Sequence, residues 1–216
     1  MVKKVFIKSL FMLIVVFLIG VLLGRGMDLW RVSDVSENWG NWELDTESFV
    51  VEQSFIDNFG GENCELIEPR MRSLSRDLGL LGTTLEDYNR KKLFFNQDRF
   101  DDIKRKYFLL ELRTYSLRKK MHEKCKDSGE IILFFYDTKD NEESLKQGYV
   151  LDSLVKELNN VTVFSLDIDF DEKEPLIKTI KNYYGIQNAP TIIINFDEKK
   201  DVFTNKAEIK QILGKL

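Results

Sequence analysis

Between Glu62 and Lys126 the apolar residues fall into two heptad seams that mirror each other, and few arrangements of a chain satisfy both at once. The first seam is Ile67, Met71, Leu74, Leu78, Leu81, Leu85, Tyr88; the second is Phe100, Ile103, Tyr107, Leu110, Thr114, Leu117, Met121. Steps of four and three alternate in both, the spacing of helices that meet along a coiled-coil seam, with Thr114 as the polar member. Taken from opposite ends, every pair from Ile67 with Met121 to Tyr88 with Phe100 is centred on one point near residue 94. That symmetry predicts an antiparallel helical hairpin over residues 62–126. Its turn falls on Phe94-Phe95-Asn96-Gln97-Asp98, with Asp98 as N-cap of the returning helix. Pro69 suits a first helical turn, which predicts a start near residue 66. Gly79 and Gly82 each weaken the first helix by about 1 kcal/mol relative to Ala, which predicts a kink near Gly79–Thr84.

The same symmetry brings Cys64 and Cys125 together at the open end, so a disulfide is expected there. Closing so long a loop contributes about 4 kcal/mol on the chain-entropy account. With two cysteines and one histidine, the chain has no CxxC and no zinc-ligand set. A redox-active pair is the alternative to a structural one. It lacks the helix N-terminus and neighbouring cysteine that lower a thiol pKa. His122, on a basic helix end, reads as a solvated residue.

Lys3, Lys4 and Lys8 precede an apolar run, and Val5 to Gly24 makes 20 residues, about 30 Å as a helix. This predicts an uncleaved single-pass anchor within residues 1–26. The alternative, a cleaved signal peptide, lacks a small-x-small site near Gly24-Arg25-Gly26-Met27-Asp28. The flanking charges would leave the N-terminus in the cytoplasm and put the remainder outside it, at the cell membrane, in a compartment suited to disulfides. Residues 27–61 then form an acidic juxtamembrane segment whose Trp30, Trp39 and Trp42 either sit at the interface or pack on the folded part. Charge is unevenly spread: residues 34–69 hold ten acids and no Lys or Arg, residues 70–126 hold sixteen basic against eight acidic residues, and residues 127–216 eleven against seventeen. No basic domain dominates, which argues against nucleic acid as a partner.

From Glu130 the period changes. Ile131 to Tyr136 is a continuous apolar run, as a central strand requires. A helix over Glu142–Leu158, a strand over Val161–Leu166 and a helix over Glu174–Tyr184 follow. Next come a strand over 191–196, a strand near 201–204 and a closing helix over Asn205–Leu213, capped by Asn205. The order βαβαββα makes residues 127–216 an α/β domain: a parallel pair with a right-handed crossover, then an antiparallel hairpin, with helices flanking the sheet.

Tyr184-Gly185-Ile186-Gln187-Asn188-Ala189-Pro190-Thr191, followed by Ile192-Ile193-Ile194, resembles the thioredoxin family's Tyr-Gly-Val/Ile, two residues, then x-Pro-Thr ahead of a strand. The resemblance covers residues 130–216 and implies a thioredoxin-like fold with a cis Ala189–Pro190 bond. It also exposes a departure. Family oxidoreductases carry a CxxC where the first helix begins, whose N-terminus stabilises the thiolate. Here that stretch is Tyr136-Asp137-Thr138-Lys139-Asp140-Asn141-Glu142-Glu143-Ser144, without sulfur. Asp140 reads as the helix N-cap, and Glu142 and Glu143 as first-turn charge. No catalytic residue, cofactor or metal is expected.

What the resemblance leaves is the edge beside the cis-proline, where Ala189 would offer its N–H and C=O to an added peptide strand, with Tyr136, Ile186, Pro190 and Thr191 around it. Asn160-Val161-Thr162 fits an N-glycosylation acceptor. The expectation is a membrane-anchored, extracytoplasmic, non-catalytic protein that binds proteins or peptides, with the basic hairpin as the main contact element. The alternative is an accessory thiol-disulfide oxidoreductase or chaperone acting through Cys64 and Cys125.

Overall fold

A computed structural model describes residues 8, 10–23, 48, 50–51, 54, 64–90, 97–125, 129–139 and 141–214. The chain divides into two compact units, Met1–Gly61 and Glu62–Leu216. In the first, residues 10–23 are helical and their large apolar side chains are exposed. Among the described residues no helix is long and apolar enough to cross a membrane. The transmembrane anchor expected over residues 5–24 is therefore not supported, and the single-pass membrane placement and extracytoplasmic location inferred from it fall with it. Trp30, Trp39 and Trp42 lie outside the described residues.

The second unit begins with α1 (Cys64–Arg90) and α2 (Gln97–Lys124). The start of α1 and the end of α2 are joined by a Cys64–Cys125 disulfide with Cα atoms 5.6 Å apart, so the helices run antiparallel. Ile67, Met71, Leu74, Leu81 and Tyr88 of α1 are buried, as are Ile103, Leu110 and Leu117 of α2. Buried Thr114 donates its hydroxyl to the Leu110 carbonyl one turn back at 2.7 Å, which satisfies the polar seam position within its own helix. Two local expectations are corrected. Helix α1 starts at Cys64, so Pro69 lies inside it. Helix α2 already includes Gln97 and Asp98, so Asp98 is not its cap. Gly79 and Gly82 both lie within α1.

The α/β part follows as β1 (Glu130–Tyr136), α3 (Glu142–Glu157), β2 (Val161–Asp167), a 3₁₀ turn (Ile168–Glu172), α4 (Pro175–Tyr184), β3 (Thr191–Ile194), β4 (Glu198–Lys200) and α5 (Lys206–Ile212). Sheet order is β2-β1-β3-β4. Strands β1 and β2 are parallel, with Glu130 opposite Val161 and Tyr136 opposite Asp167. Strand β3 is antiparallel to both β1 and β4. Strand β4 comes earlier than the expected 201–204, because Asn195 and Phe196 turn the chain back at φ 48° and 70°. A left-handed phenylalanine is costly. It is retained where its ring is buried, 5.0 Å from Tyr115 and 5.7 Å from His122 of α2. Asn195 supports the turn by accepting from Ile131 N (2.9 Å) and donating to Glu130 Oε2 (2.7 Å).

Strand alternation divides the core in two. Ile131, Leu133 and Phe135 pack with Phe108, Leu112 and Tyr115 of α2 and Ile177 of α4. Ile132 and Phe134 pack with Leu151 and Leu154 of α3 and with Ile209 and Leu213. Helix α2 is thus buried on two sides, along the seam to α1 and against the sheet. Ion pairs tie its N-terminal half to the acidic α/β part: Lys104–Asp167 at 2.6 Å, Arg105–Glu174 at 2.7 Å, and Asp101 with Lys173. Part of the basic hairpin's charge is spent on internal docking.

Candidate functional site

The corner between β1 and α3 occupies the place where the resemblance would put redox cysteines. Asn141, not the expected Asp140, caps α3: its side-chain oxygen accepts from Ser144 N at 2.9 Å. Asp140 lies outside the described residues. The other half of the Asn141 amide donates to the Ala189 carbonyl at 2.9 Å. One side chain therefore terminates the helix and fastens it to the loop carrying the cis Ala189–Pro190 bond. Ser144 Oγ accepts from Asp137 N (3.1 Å), the Asp137 carboxylate accepts from Lys139 N (2.6 Å), and Lys139 Nζ pairs with Asp169 (2.9 Å). The corner is closed on itself by its own polar groups.

These contacts bear on the peptide-pairing residues. The Ala189 carbonyl, expected to receive a peptide N–H, already accepts from Asn141. Ile186 and Thr191 are buried, Ile186 in the core with α2, and Thr191 donates its hydroxyl to the Asn188 carbonyl. Pro190 is buried too. Of that set, Tyr136 alone lines open space. Cys64 and Cys125 are at the foot of the hairpin, bonded to each other. Asn160 is exposed in the turn before β2, and its carbonyl accepts from Glu130 N.

Beside the corner lies a cleft of about 670 Å³. Phe134 and Tyr136 of β1 line it, with Leu145, Gly148 and Tyr149 from one stripe of α3. Gly148 and Tyr149 follow Leu145 by three and four residues, so all three share a helix face adjacent to the buried Leu151 and Leu154. Leu145 is 58% exposed and Tyr149 64%. Gly148 keeps the wall thin, for a Cβ there would sit 3.9 Å from the Phe134 ring. Asp137, Glu142 and Asp152 also line the cleft, and among the described residues no Lys or Arg does. Among the described residues no group of His, Cys, Asp or Glu is arranged to hold a metal ion.

A second polar cluster lies under α2. Glu111 is buried, and both carboxylate oxygens accept from Ser165 N of the sheet-edge strand β2, at 3.1 and 3.2 Å. Burial pushes its pKa up to about 8, against the opposing pull of the bonds from Ser165 and Tyr107. Tyr136 is raised as well, by burial first and then by Asp167 and Glu111. The hairpin thus covers an edge amide that would otherwise be open to another strand. Sequence reasoning missed Glu111 and the cleft. The available signal was a second stripe on α2, Phe108, Glu111, Leu112 and Tyr115, offset from the seam.

No family model matches the chain, and no curated protein matches it. Solved structures similar to about two fifths of the chain are thioredoxin-like folds. A malarial protein is 21% identical over 40% of this chain and 96% of its own, with a TM-score of 0.34. Thioredoxin-2, described as a component of the malaria parasite's protein secretion machinery, is 22% identical over 41% of this chain and 84% of its own, with a TM-score of 0.34. Chloroplastic thioredoxin z is 24% identical over 42% of this chain and 80% of its own, with a TM-score of 0.34.

Proposed function

We propose that the chain acts as a non-catalytic protein- or peptide-binding module whose contact surface is the cleft between β1 and α3. One contrast carries this reading. The corner next to the cleft holds no sulfur and has its Ala189 carbonyl taken by Asn141, while the neighbouring cleft keeps Leu145 and Tyr149 open to solvent. An apolar concavity with a few fixed polar groups is the usual form of a binding site. The thiols sit elsewhere, bonded at the base of the hairpin, where closing a loop stabilises the fold.

The test has two arms on the full chain. A photo-reactive residue at position 149, and another at position 176 on α4 as a control, is used to trap a partner, which is then purified and titrated against the unmodified chain. Position 149 is expected to trap a protein whose binding is lost in Gly148→Leu. In parallel, disulfide exchange on a scrambled test protein is expected to stay at the uncatalysed rate. Turnover at enzymatic rates that disappears in Cys64→Ser would replace this reading with the oxidoreductase alternative.

A further inference from the structure

We infer that the cleft between β1 and α3 selects a cationic, apolar segment: a short peptide in which Lys or Arg flanks one large apolar side chain. The inference rests on the binding reading above and specifies the class of ligand. Its basis is what the cleft combines. The floor and one wall are apolar, from Phe134, Tyr136, Leu145 and Tyr149, while among the described residues every formally charged one lining it is acidic: Asp137, Glu142 and Asp152. At 670 Å³ it falls within the roughly 300–1,000 Å³ of ligand-sized clefts.

Each carboxylate has a definite situation. Asp137 accepts from the Lys139 amide and is held at the corner. Glu142 pairs along the helix surface with Lys146 at 3.3 Å, a contact in which both side chains are largely exposed. That pair is weak and open to exchange, since two exposed side chains at i,i+4 gain little over their contacts with water. Asp152 is exposed about three turns further along α3. An incoming cation therefore meets negative charge along the whole α3 side of the cleft, and low-dielectric walls focus that field.

The apolar part of the ligand is equally constrained. Leu145 and Tyr149 stand more than half exposed, and Gly148, beside Tyr149, adds no side chain, which leaves a shallow notch in the wall. The notch is about one methyl deep, since a Cβ at Gly148 would already touch the Phe134 ring at 3.9 Å, so a large apolar side chain of the ligand lies over it against Leu145 and Tyr149. The stem of a flanking lysine can lie along the Tyr149 ring while its ammonium reaches Asp152. An anionic or uniformly polar peptide gains neither contact.

The experiment measures binding of two fluorescein-labelled, end-blocked peptides to the full chain by anisotropy: Lys-Phe-Lys-Leu-Lys and its charge-reversed form Glu-Phe-Glu-Leu-Glu. The cationic probe is expected to bind at least tenfold more tightly and to weaken as salt is raised. Asp152→Lys combined with Glu142→Gln is expected to cost the cationic probe tenfold or more. Gly148→Leu, which fills the notch, is expected to remove binding, and Lys178→Glu on α4 to leave it unchanged. Circular dichroism confirms that each variant is folded. Equal or tighter binding of the anionic probe, or no binding of the cationic one at millimolar concentration, overturns the inference. If Gly148→Leu still removes a partner trapped at position 149, the binding reading survives and the ligand class alone is wrong. If Gly148→Leu affects nothing, both are wrong.

Discussion

The two faces of the four-stranded sheet are covered unequally. Under α2 and α4 the cover is complete: Phe108, Leu112 and Tyr115 fill the space above β1, Glu111 occupies an edge amide of β2, and ion pairs close the rim. Under α3 and α5 the core is equally apolar near Leu151, Leu154 and Ile209, yet the N-terminal half of α3 leaves Phe134 and Tyr136 lining an open cleft. The difference assigns work within one compact unit. The hairpin is a layer of the fold, and the proposed binding surface lies on the opposite face.

The largest effect should come from removing a side chain of the closed face. Phe108→Ala deletes a fully buried ring that packs edge-on to Phe170 with centroids 5.2 Å apart. A loss of about 3–5 kcal/mol in unfolding free energy is expected from urea titration. A loss below ~1 kcal/mol would mean that α2 is not needed by the sheet. Next is the paired substitution Cys64→Ser, Cys125→Ser, expected to cost about 2–4 kcal/mol through the loop it reopens. Because the bond is at the hairpin's foot and far along the chain from the cleft residues, peptide affinity is expected to stay within twofold.

Glu111 sharpens the comparison through pH. Its folded pKa, about 8, is above the ordinary 4.5, so between these values the folded state holds a proton that the unfolded state has released. Its contribution is complete below about pH 4.5 and is lost as pH rises through 8. Tyr107, Tyr136, Asp167 and Lys104 are the other titratable groups around this pocket. Glu111→Gln keeps an acceptor for Ser165 N and removes the ionisation. The melting temperature of the parent chain is expected to fall between pH 5 and 8 more steeply than that of the glutamine variant. Parallel profiles would contradict the assignment. The smallest effect belongs to the open face: Tyr149→Ala is expected to change stability by no more than about 0.5 kcal/mol, since the ring covers no core.

Much of this architecture is legible in the sequence, and the rest is hidden for identifiable reasons. The hairpin seam can be read because most of its members, from Ile67 to Tyr88 and from Phe100 to Met121, keep one unbroken heptad spacing. The sheet-facing side of α2 is harder, because Glu111 and Lys104 interrupt its apolar stripe. Only the fold reveals that they meet Ser165 and Asp167, more than fifty residues away. Asn141 and Asp140 are equally good caps by residue type. The choice is made by the Ala189 carbonyl, 48 residues on, which the Asn141 amide also reaches. The early return of β4 escapes detection because Phe196 adopts a backbone that sequence rules reserve for glycine or asparagine, and it does so for the sake of its contacts with Tyr115 and His122. The apolar run near the N-terminus misleads in the other direction: its composition suggests a membrane span that no helix among the described residues is long and apolar enough to form.

The decisive measurement is partner capture at position 149 in two variants compared side by side, below the melting temperature of both. With Cys64 and Cys125 replaced by serine, capture is expected to remain at the parental level, whereas Gly148→Leu abolishes it. The reverse pattern, capture lost with the cysteines and untouched by filling the notch, would place the chain's function at its sulfur atoms and contradict the account.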